Sequence, residues 1–457
     1  MATAAPRKEG FLTLLRKRNF LLLWMAQLIS MTVLGASNFA LLAMISNLAG
    51  KSAPFLQALA VIAFSLPAVL IGAPAGVFVD RRNKRSVLFY SNCLRALVTF
   101  GYVIALIINQ TQLVPGYLMI FLVSAIGQFF TPAEGASIAM LVSEDELMHA
   151  LSLFQVTFMI SNALGLVILA PLLMLFLPSI TVAGLFIPSF ALLYLIMALL
   201  YLVCSGLVAL IPRRNFIELK QRKTKTGVLA AESLSAWQTI WHEMLQAWAF
   251  IRRRPTLFEA VIQISFAGVL LQLIGVLAFP VVTDLLLKKP AFVPVVFAPA
   301  GVGLVLSSLF MPRIVKALGK SRTIFIGCIA LALLIAFVPL TLLLTSQMKQ
   351  HGMQVDLLQV VAVDVIMFLA GIALNMVNLP SSTAMQEQTP EWIKGRVLAL
   401  QLVLYNACSI PVLLFSGGIA GLFSISTVLY VLAVCIALFG FWGFFYERKP
   451  HPGALKE

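Results

Sequence analysis

Gly76-Val77-Phe78-Val79-Asp80-Arg81-Arg82-Asn83-Lys84-Arg85 joins the end of one long apolar segment to the start of the next. Five of its last six residues are charged, and one of the five is an acid. The segment before it reads as a helix, and the dipole at a helix C-terminus disfavours negative charge. Asp80 therefore needs a cation or a helix N-terminus beside it. The four bases are what a tight turn on the cytoplasmic side of a membrane requires. They do not account for Gly76 or Asp80.

The apolar segments on either side of this turn recur along the whole chain. Of its 457 residues, 61% are hydrophobic and 11% charged. No soluble globular domain has that balance, and apolar runs of roughly 18 residues or more read as membrane spans. Twelve such runs are present: Phe20 to Leu48, Phe55 to Val79, Val87 to Ile108, Tyr117 to Met140, Leu151 to Leu177, Val182 to Leu210, Leu257 to Leu286, Val293 to Met311, Thr323 to Leu344, Leu357 to Ala384, Val397 to Leu422 and Ser424 to Phe445. The expected fold is an all-α polytopic membrane protein, with twelve transmembrane helices in two pseudo-symmetric six-helix bundles. Residues 1–19 read as a cytoplasmic tail, 20–212 as the first bundle, 213–255 as a cytoplasmic linker, 256–446 as the second bundle and 447–457 as a second cytoplasmic tail.

Twelve spans put both termini on one side, and the basic residues say which. Lys51, Lys288, Lys289 and Lys349 fall in loops assigned outside, Arg95 falls within a span, and the remaining 27 of the 32 Lys and Arg fall inside. That asymmetry follows the positive-inside rule. The net charge of +15 is then a topology signal whose counter-surface is anionic lipid, and nucleic acid is not expected as a partner. All six tryptophans lie on the same side, at headgroup depth. The first apolar run is too long for a signal-peptide core, so it reads as an uncleaved first span of a cell-membrane protein.

Enzyme chemistry finds no footing. Gly50-Lys51-Ser52 and Gly319-Lys320-Ser321 are fragments of a phosphate-binding loop, but Ile45 and Ile314 stand where its first glycine belongs. The four histidines have no metal-ligand spacing. The five cysteines, Cys93, Cys204, Cys328, Cys408 and Cys435, lie inside apolar runs and read as small buried apolar residues. No metal and no cofactor are expected. In the linker, Leu234, Trp237, Trp241, Leu245 and Trp248 share one helical face. Such a helix lies either in the membrane interface or against the protein.

An internal repeat is visible. Pro132 to Ala136 closes the fourth span and Pro380 to Ala384 closes the tenth, about half the chain apart. The loop after the eighth span, with Arg313, Lys316, Lys320 and Arg322, echoes the Asp80 turn without its acid. Parallel repeats of this kind relate the two halves of many transporters.

The turn at Gly76 to Arg85 resembles the signature loop of the major facilitator superfamily. The resemblance implies that Gly76 lets two helices pack closely. It also implies that Asp80, Arg81 and Arg85 help latch the two halves together on the inner side. Asn83 stands where the family commonly has glycine, and Asn tolerates a left-handed backbone. Arg18 to Ser30, Phe130 to Ala136 and Gln386 to Val397 resemble the drug-antiporter branch that includes macrolide-efflux and enterobactin-exporter-like proteins. In the last of these, Gly395 and Arg396 open the eleventh span, whose N-terminus is a candidate partner for Asp80. The branch pattern is departed from at Ala36, Asn92 and Leu166, where it commonly carries an acid, an acid and a proline.

Polar groups inside hydrocarbon mark the remaining candidates, because they are costly there and usually face a bundle interior or a cavity. Arg95 lies about 14 Å from the inner surface and Glu134 about 9 Å, on antiparallel spans. They read either as an ion pair or as an Arg95 that snorkels inward. Asp364 is an acid in the tenth span, read as a proton carrier or as a structural group. Asn38, Gln128, Gln272, Asn375 and Asn406 lie near mid-depth and, with Met31, Phe129, Phe266 and Tyr405, are the candidate substrate contacts. The expected function is secondary transport, by alternating access, of an amphipathic small molecule across the cytoplasmic membrane, as efflux. Protons are a candidate coupling ion, membrane lipids are the surroundings, and the chain is expected to be a monomer. A lipid or lysolipid translocator of the same fold and a non-transporting membrane sensor or scaffold are the other classes the sequence allows.

Overall fold

The computed structural model describes residues 11–80, 82–182, 185–212, 244–286, 288, 292–350 and 356–447. The helices are α1 (Phe11–Leu15), α2 (Arg18–Ala49), α3 (Ala53–Asp80), α4 (Lys84–Ile108), α5 (Val114–Leu141), α6 (Glu144–Leu164), α7 (Ala170–Phe176), α8 (Ser189–Ala209), α9 (244–253), α10 (Pro255–Pro280), α11 (Val293–Leu318), α12 (Lys320–Gln350), α13 (Asp356–Gln388), α14 (Glu391–Leu422) and α15 (Ile425–Glu447). The fold is all-α, as the sequence implies. Its one exception among the described residues is a short antiparallel pair, β1 (Ile180–Val182) and β2 (Leu185–Ile187), with Ile180 opposite Ile187.

Among the described residues, eleven helices are long and apolar enough to cross a membrane. The twelfth expected span is helical too, but it is assembled from pieces. α6 begins with three acids, passes through a π-helical turn at Gly165–Leu169 and continues as α7. The wider turn sits where the backbone of Gly165 meets α2. A Cβ at Gly165 would lie 2.1 Å from the Thr32 carbonyl oxygen, so only glycine fits there.

The faces of the helices are inverted relative to a water-soluble protein. On α4, Asn92, Arg95, Thr99 and Tyr102 are buried, while Leu94, Leu97, Phe100, Ile104 and Ile108 are exposed. On α11, Val295, Val302, Val305 and Leu309 are likewise exposed. A polar stripe turned inward and an apolar stripe turned outward is stable only in a hydrocarbon solvent. This also corrects the expectation for two cysteines. Cys408 and Cys435 are exposed rather than buried, and for a small apolar side chain a lipid-facing position costs nothing.

The chain divides into two compact units, Met1–Met44 with Ala63–Trp237, and Ile45–Ile62 with Gln238–Glu457. The expected break between bundles lay only at the linker. In addition, the beginning of α3 packs within the second unit, where Gly417 of α14 meets it. A Cβ at Gly417 would lie 2.9 Å from Phe55 Cα and 3.0 Å from the Pro54 carbonyl oxygen.

In the first unit, Leu14, Phe20, Leu23, Val79, Leu88, Phe130, Ile138, Phe154 and Val208 form a shared core. Leu14 belongs to α1, so the expected N-terminal tail is folded from Phe11 onward. Lys17, between α1 and α2, donates to Glu146 at 2.5 Å. Glu146 also accepts from the Ser143 backbone N–H at 3.0 Å and from its hydroxyl at 2.7 Å. Ser143 and Glu146 thus form a capping box at the start of α6, and Lys17 ties α1 to it. These bonds hold the Glu146 carboxyl at about 2, below its ordinary 4.5, with the Lys17 bond the largest cause.

In the second unit α13 is central, packed on α10, α11 and α12. Its crossing with α11 is backbone against backbone. A Cβ at Gly371 would lie 1.9 Å from the Ala300 carbonyl oxygen, and one at Gly303 would lie 2.1 Å from the Phe368 carbonyl oxygen. Two glycines, one from each helix, therefore allow this approach, as small residues do between membrane helices. The described part of the linker helix, α9, packs on protein. Ala247 and Ile251 are fully buried against Leu257, Met385, Ile393 and Val397. Leu234, Trp237 and Trp241 lie outside the described residues.

Candidate functional site

The turn between α3 and α4 is built from helix-end chemistry. Asn83 is the N-cap of α4, and its side chain accepts from the Ser86 N–H at 3.2 Å. Its φ of −66° is ordinary, so the left-handed backbone expected here is not used. The Lys84 ammonium donates to the Val79 carbonyl at 2.6 Å and to that of Arg82 at 3.1 Å, closing the end of α3. The Arg85 guanidinium donates to the carbonyls of Ala209 (2.5 Å), the last residue of α8, and Ile211 (2.6 Å), just beyond it. Two of the four bases therefore neutralise helix C-termini within their own unit. A Cβ at Gly76 would meet nothing within 4 Å among the described residues. Asp80 ends α3, but its side chain, like the whole of Arg81, lies outside the described residues.

On the other unit, α14 starts at Glu391, with Pro390 as N-cap. The free N-terminal amides therefore belong to the residues just after Pro390, not to Gly395 and Arg396, which lie in the second turn. Gly395 is helical, and its surroundings lie outside the described residues. Arg396 donates to the Gln246 side chain of α9 at 3.5 Å, which ties the linker helix to α14.

Arg95 is the most enclosed of the candidates, 1% exposed. It does not snorkel, and it does not pair with Glu134. Its Nη1 donates to Ser30 Oγ on α2 at 2.9 Å, and that hydroxyl lies 3.4 Å from Asn92 Oδ1, one turn back on α4. The guanidinium lies over the rings of Phe130 (4.9 Å to the centroid) and Tyr201 (5.8 Å). Gly127 leaves the room it needs: a Cβ there would be 2.8 Å from Nη2. Glu134 is buried on α5 with one carboxyl oxygen unpartnered. The ion pairs found among the described residues are Lys17–Glu146 and Lys320–Glu387. Phe130, one turn before Glu134 on α5, is the α5 side chain that lies against the Arg95 guanidinium.

Asp364, half-buried on α13, encloses one carboxyl oxygen without a partner. Three of the mid-depth amides turn back on their own helices. Asn38 donates to the Leu34 carbonyl (3.1 Å), Gln128 to that of Ser124 (3.4 Å) and Asn406 to that of Leu402 (2.8 Å). Asn375 instead bridges α13 to α11, donating to Ser307 Oγ at 2.8 Å and the Leu304 carbonyl at 3.2 Å. Gln272 makes the contact that most resembles a site, its side chain on α10 lying beside the Tyr405 hydroxyl of α14. The Tyr405 ring rests on Gly268, one turn from Gln272. A Cβ at Gly268 would lie 2.6 Å from that ring. Phe266, also on α10, stacks on Phe439 of α15 at 3.7 Å.

Sequence reasoning passed over a further buried network. Gln263 donates to Glu259 at 2.8 Å, both on α10, and Ser381 of α13 reaches Gln263 at 3.5 Å. Glu259 lies five residues after Arg254, near the predicted inner end of the seventh span, and is buried. The Ser143-x-x-Glu146 spacing, by contrast, was a legible capping box.

The family model described as Major Facilitator Superfamily matches residues 23–410. No curated protein sequence matches the chain. Among solved structures, the chain is similar to the nucleoside transporter NupG at 15% identity, covering 94% of this chain and 99% of that one, with a TM-score of 0.66. It is similar to a bacterial homologue of the human lysosomal transporter Spinster at 11% identity, covering 95% and 97%, with a TM-score of 0.68. It is also similar to a bacterial homologue of the iron transporter ferroportin at 15% identity, covering 95% and 100%, with a TM-score of 0.67. At these identities the likeness concerns the fold.

Proposed function

The chain belongs to the major facilitator superfamily, and on that premise we propose that it is a secondary active transporter exporting an amphipathic small molecule across the cytoplasmic membrane. It works by alternating access with both termini inside, in the manner of the drug-antiporter branch. The observation that carries the substrate class is the Tyr405–Gln272 pair seated on Gly268. An aromatic face with a hydrogen-bonding edge and no charge suits a molecule with a large apolar body and a few polar groups. The charged residues of the spans support the same reading. Arg95 is sealed inside its unit, so it is not offered to a substrate.

Driving export requires binding that differs between the inward-open and outward-open states. The latch assigned to that difference combines Asp80 and Arg81 with the N-terminal turn of α14 that leads into Gly395 and Arg396. Arg85 is committed to the end of α8 and holds the turn in place. Glu134 and Asp364 are the candidate proton carriers, the chain works as a monomer, and no cofactor takes part.

Flux in proteoliposomes tests this reading. Efflux of an amphipathic dye that collapses with a protonophore supports a proton-coupled exporter, and Asp80→Asn should slow it without changing membrane insertion. Movement of lipid without any gradient would transfer the chain to the translocators. No flux of any probe would make it a sensor.

A further inference from the structure

Arg252, Arg253 and Arg254 are consecutive and exposed at the junction of α9 and α10. They take no part in an ion pair among the described residues. The opposite face of α9 is fully committed, with Ala247 and Ile251 buried in the second unit. The junction therefore has one orientation, and its basic side is turned away from the protein. The Arg254 guanidinium lies over the Phe250 ring, 4.8 Å from its centroid, which fixes it rather than leaving it to sweep through solvent. Trp248 packs edge-on against Phe258 at 6.1 Å.

Depth decides what faces these arginines. α10 begins at Pro255 and is predominantly apolar from Leu257 onward, its Glu259 and Gln263 being buried within the protein, so it enters hydrocarbon close to Arg254. A segment at that level lies among lipid headgroups, and the Trp248, Phe250 and Phe258 rings beside it are of the kind that settle there. Three guanidinium groups at headgroup depth, with no ion-pair partner among the described residues, match the phosphate of an anionic lipid, which arginine binds as a planar fork. A free phosphate would gain the charge contacts but not the apolar and aromatic surface next to them.

We propose that Arg252, Arg253 and Arg254 form a binding site for anionic phospholipid on the basic side of the protein, and that α9 carries its effect to the helix ends it touches. Those ends are named by contacts already given. α9 packs on Met385 at the end of α13 and on Ile393 and Val397 at the start of α14, and Gln246 receives Arg396. A lipid held at the arginines steadies α9 and with it the inner ends of α13 and α14. This role is independent of what the protein transports.

The test is a titration of short-chain phosphatidylglycerol into the purified full chain in neutral detergent, read by the midpoint of thermal unfolding. Short-chain phosphatidylcholine and inorganic phosphate are the other arms. Each arginine at a charged lipid surface contributes roughly fivefold in affinity, so replacing all three with alanine should weaken the phosphatidylglycerol response on the order of a hundredfold. The double variant Arg252→Ala with Arg253→Ala keeps the Arg254–Phe250 contact and should lose roughly 25-fold even if the triple variant folds poorly. Replacing all three with lysine keeps the charge but not the fork, and should leave a response between those of wild type and the triple alanine variant. A control removes basic charge from the first unit, Arg16→Ala with Arg18→Ala, and should respond like wild type. The proposal is overturned if phosphatidylglycerol gives no stabilisation or stabilises the alanine variants equally. An equal loss in the control would overturn it too, as would inorganic phosphate or phosphatidylcholine acting as well as phosphatidylglycerol.

Discussion

Arg95 places a cation at the centre of the first unit and meets it with a hydroxyl, two aromatic faces and a glycine-shaped space rather than with an acid. A charge held this way is expensive, because desolvation is only partly returned by hydrogen bonds and cation–π contact. Replacing Arg95 with methionine keeps the length and removes the charge, so stability should be unchanged or higher. Arg95→Ala leaves a cavity and should cost about 2–5 kcal/mol. Unfolding midpoints separate the two, and an Arg95→Met variant as unstable as Arg95→Ala would mean that the fold itself needs the charge. An Arg95–Glu134 charge swap is not expected to rescue either single variant, since the two do not touch. Glu146 behaves differently. Its carboxyl sits at about 2 against an ordinary 4.5, so its contribution is complete above 4.5 and fades as the pH falls from there through about 2. The stability gap between wild type and Glu146→Gln should therefore be constant from neutral pH down to about 5 and close as the pH is lowered further. A gap that stays open toward pH 2 would show that the capping box and the Lys17 tie do not depend on the ionised carboxyl.

Helices in this protein are joined by two devices. One is the glycine crossing of α11 and α13, where Gly303 and Gly371 each face a backbone carbonyl of the other helix. A carbonyl cannot move aside as a side chain can. Gly371→Ala should therefore destabilise the second unit by about 1–3 kcal/mol or more, seen as a lower unfolding midpoint, whereas Gly418→Ala, with open space around it, should be silent. The other device is the capping of helix ends by cations from neighbouring segments, as Arg85 does for α8 and Lys84 for α3. The bases of the turn were legible in the sequence, and so was their place at a membrane surface. Which carbonyls they serve was not, because α8 is more than a hundred residues away along the chain and its end is brought to Arg85 only by packing. For the same reason the mid-depth amides could be found by depth but not sorted. Asn38, Gln128 and Asn406 bond their own helices, while Asn375 and Gln272 cross to another.

At the scale of the molecule, the two units are each compact, and the beginning of α3 belongs to the second. Tags at the two chain ends should be accessible from the same face of the membrane in intact cells or right-side-out vesicles, and labelling from opposite faces would remove the even span count on which the proposed topology rests. Length, apolar runs and the one-sided distribution of Lys and Arg were enough to establish an all-α, many-span membrane protein. These are one-dimensional properties: a span must be long and apolar whatever lies beside it, and its flanking charge is read by the membrane segment by segment. Motif spacing was enough to point to the superfamily. The tertiary structure alone decided that Arg95 meets Ser30 and two rings instead of Glu134, that Phe11–Leu15 is packed rather than loose, that Tyr405 rests on Gly268, and that α9 turns its arginines outward. Each depends on which face of a helix meets which neighbour, and in a chain whose helices are mostly apolar on every face the usual pattern of hydrophobic inside and polar outside is missing, so facing is settled by shape, by glycine gaps and by the few polar groups that must find partners.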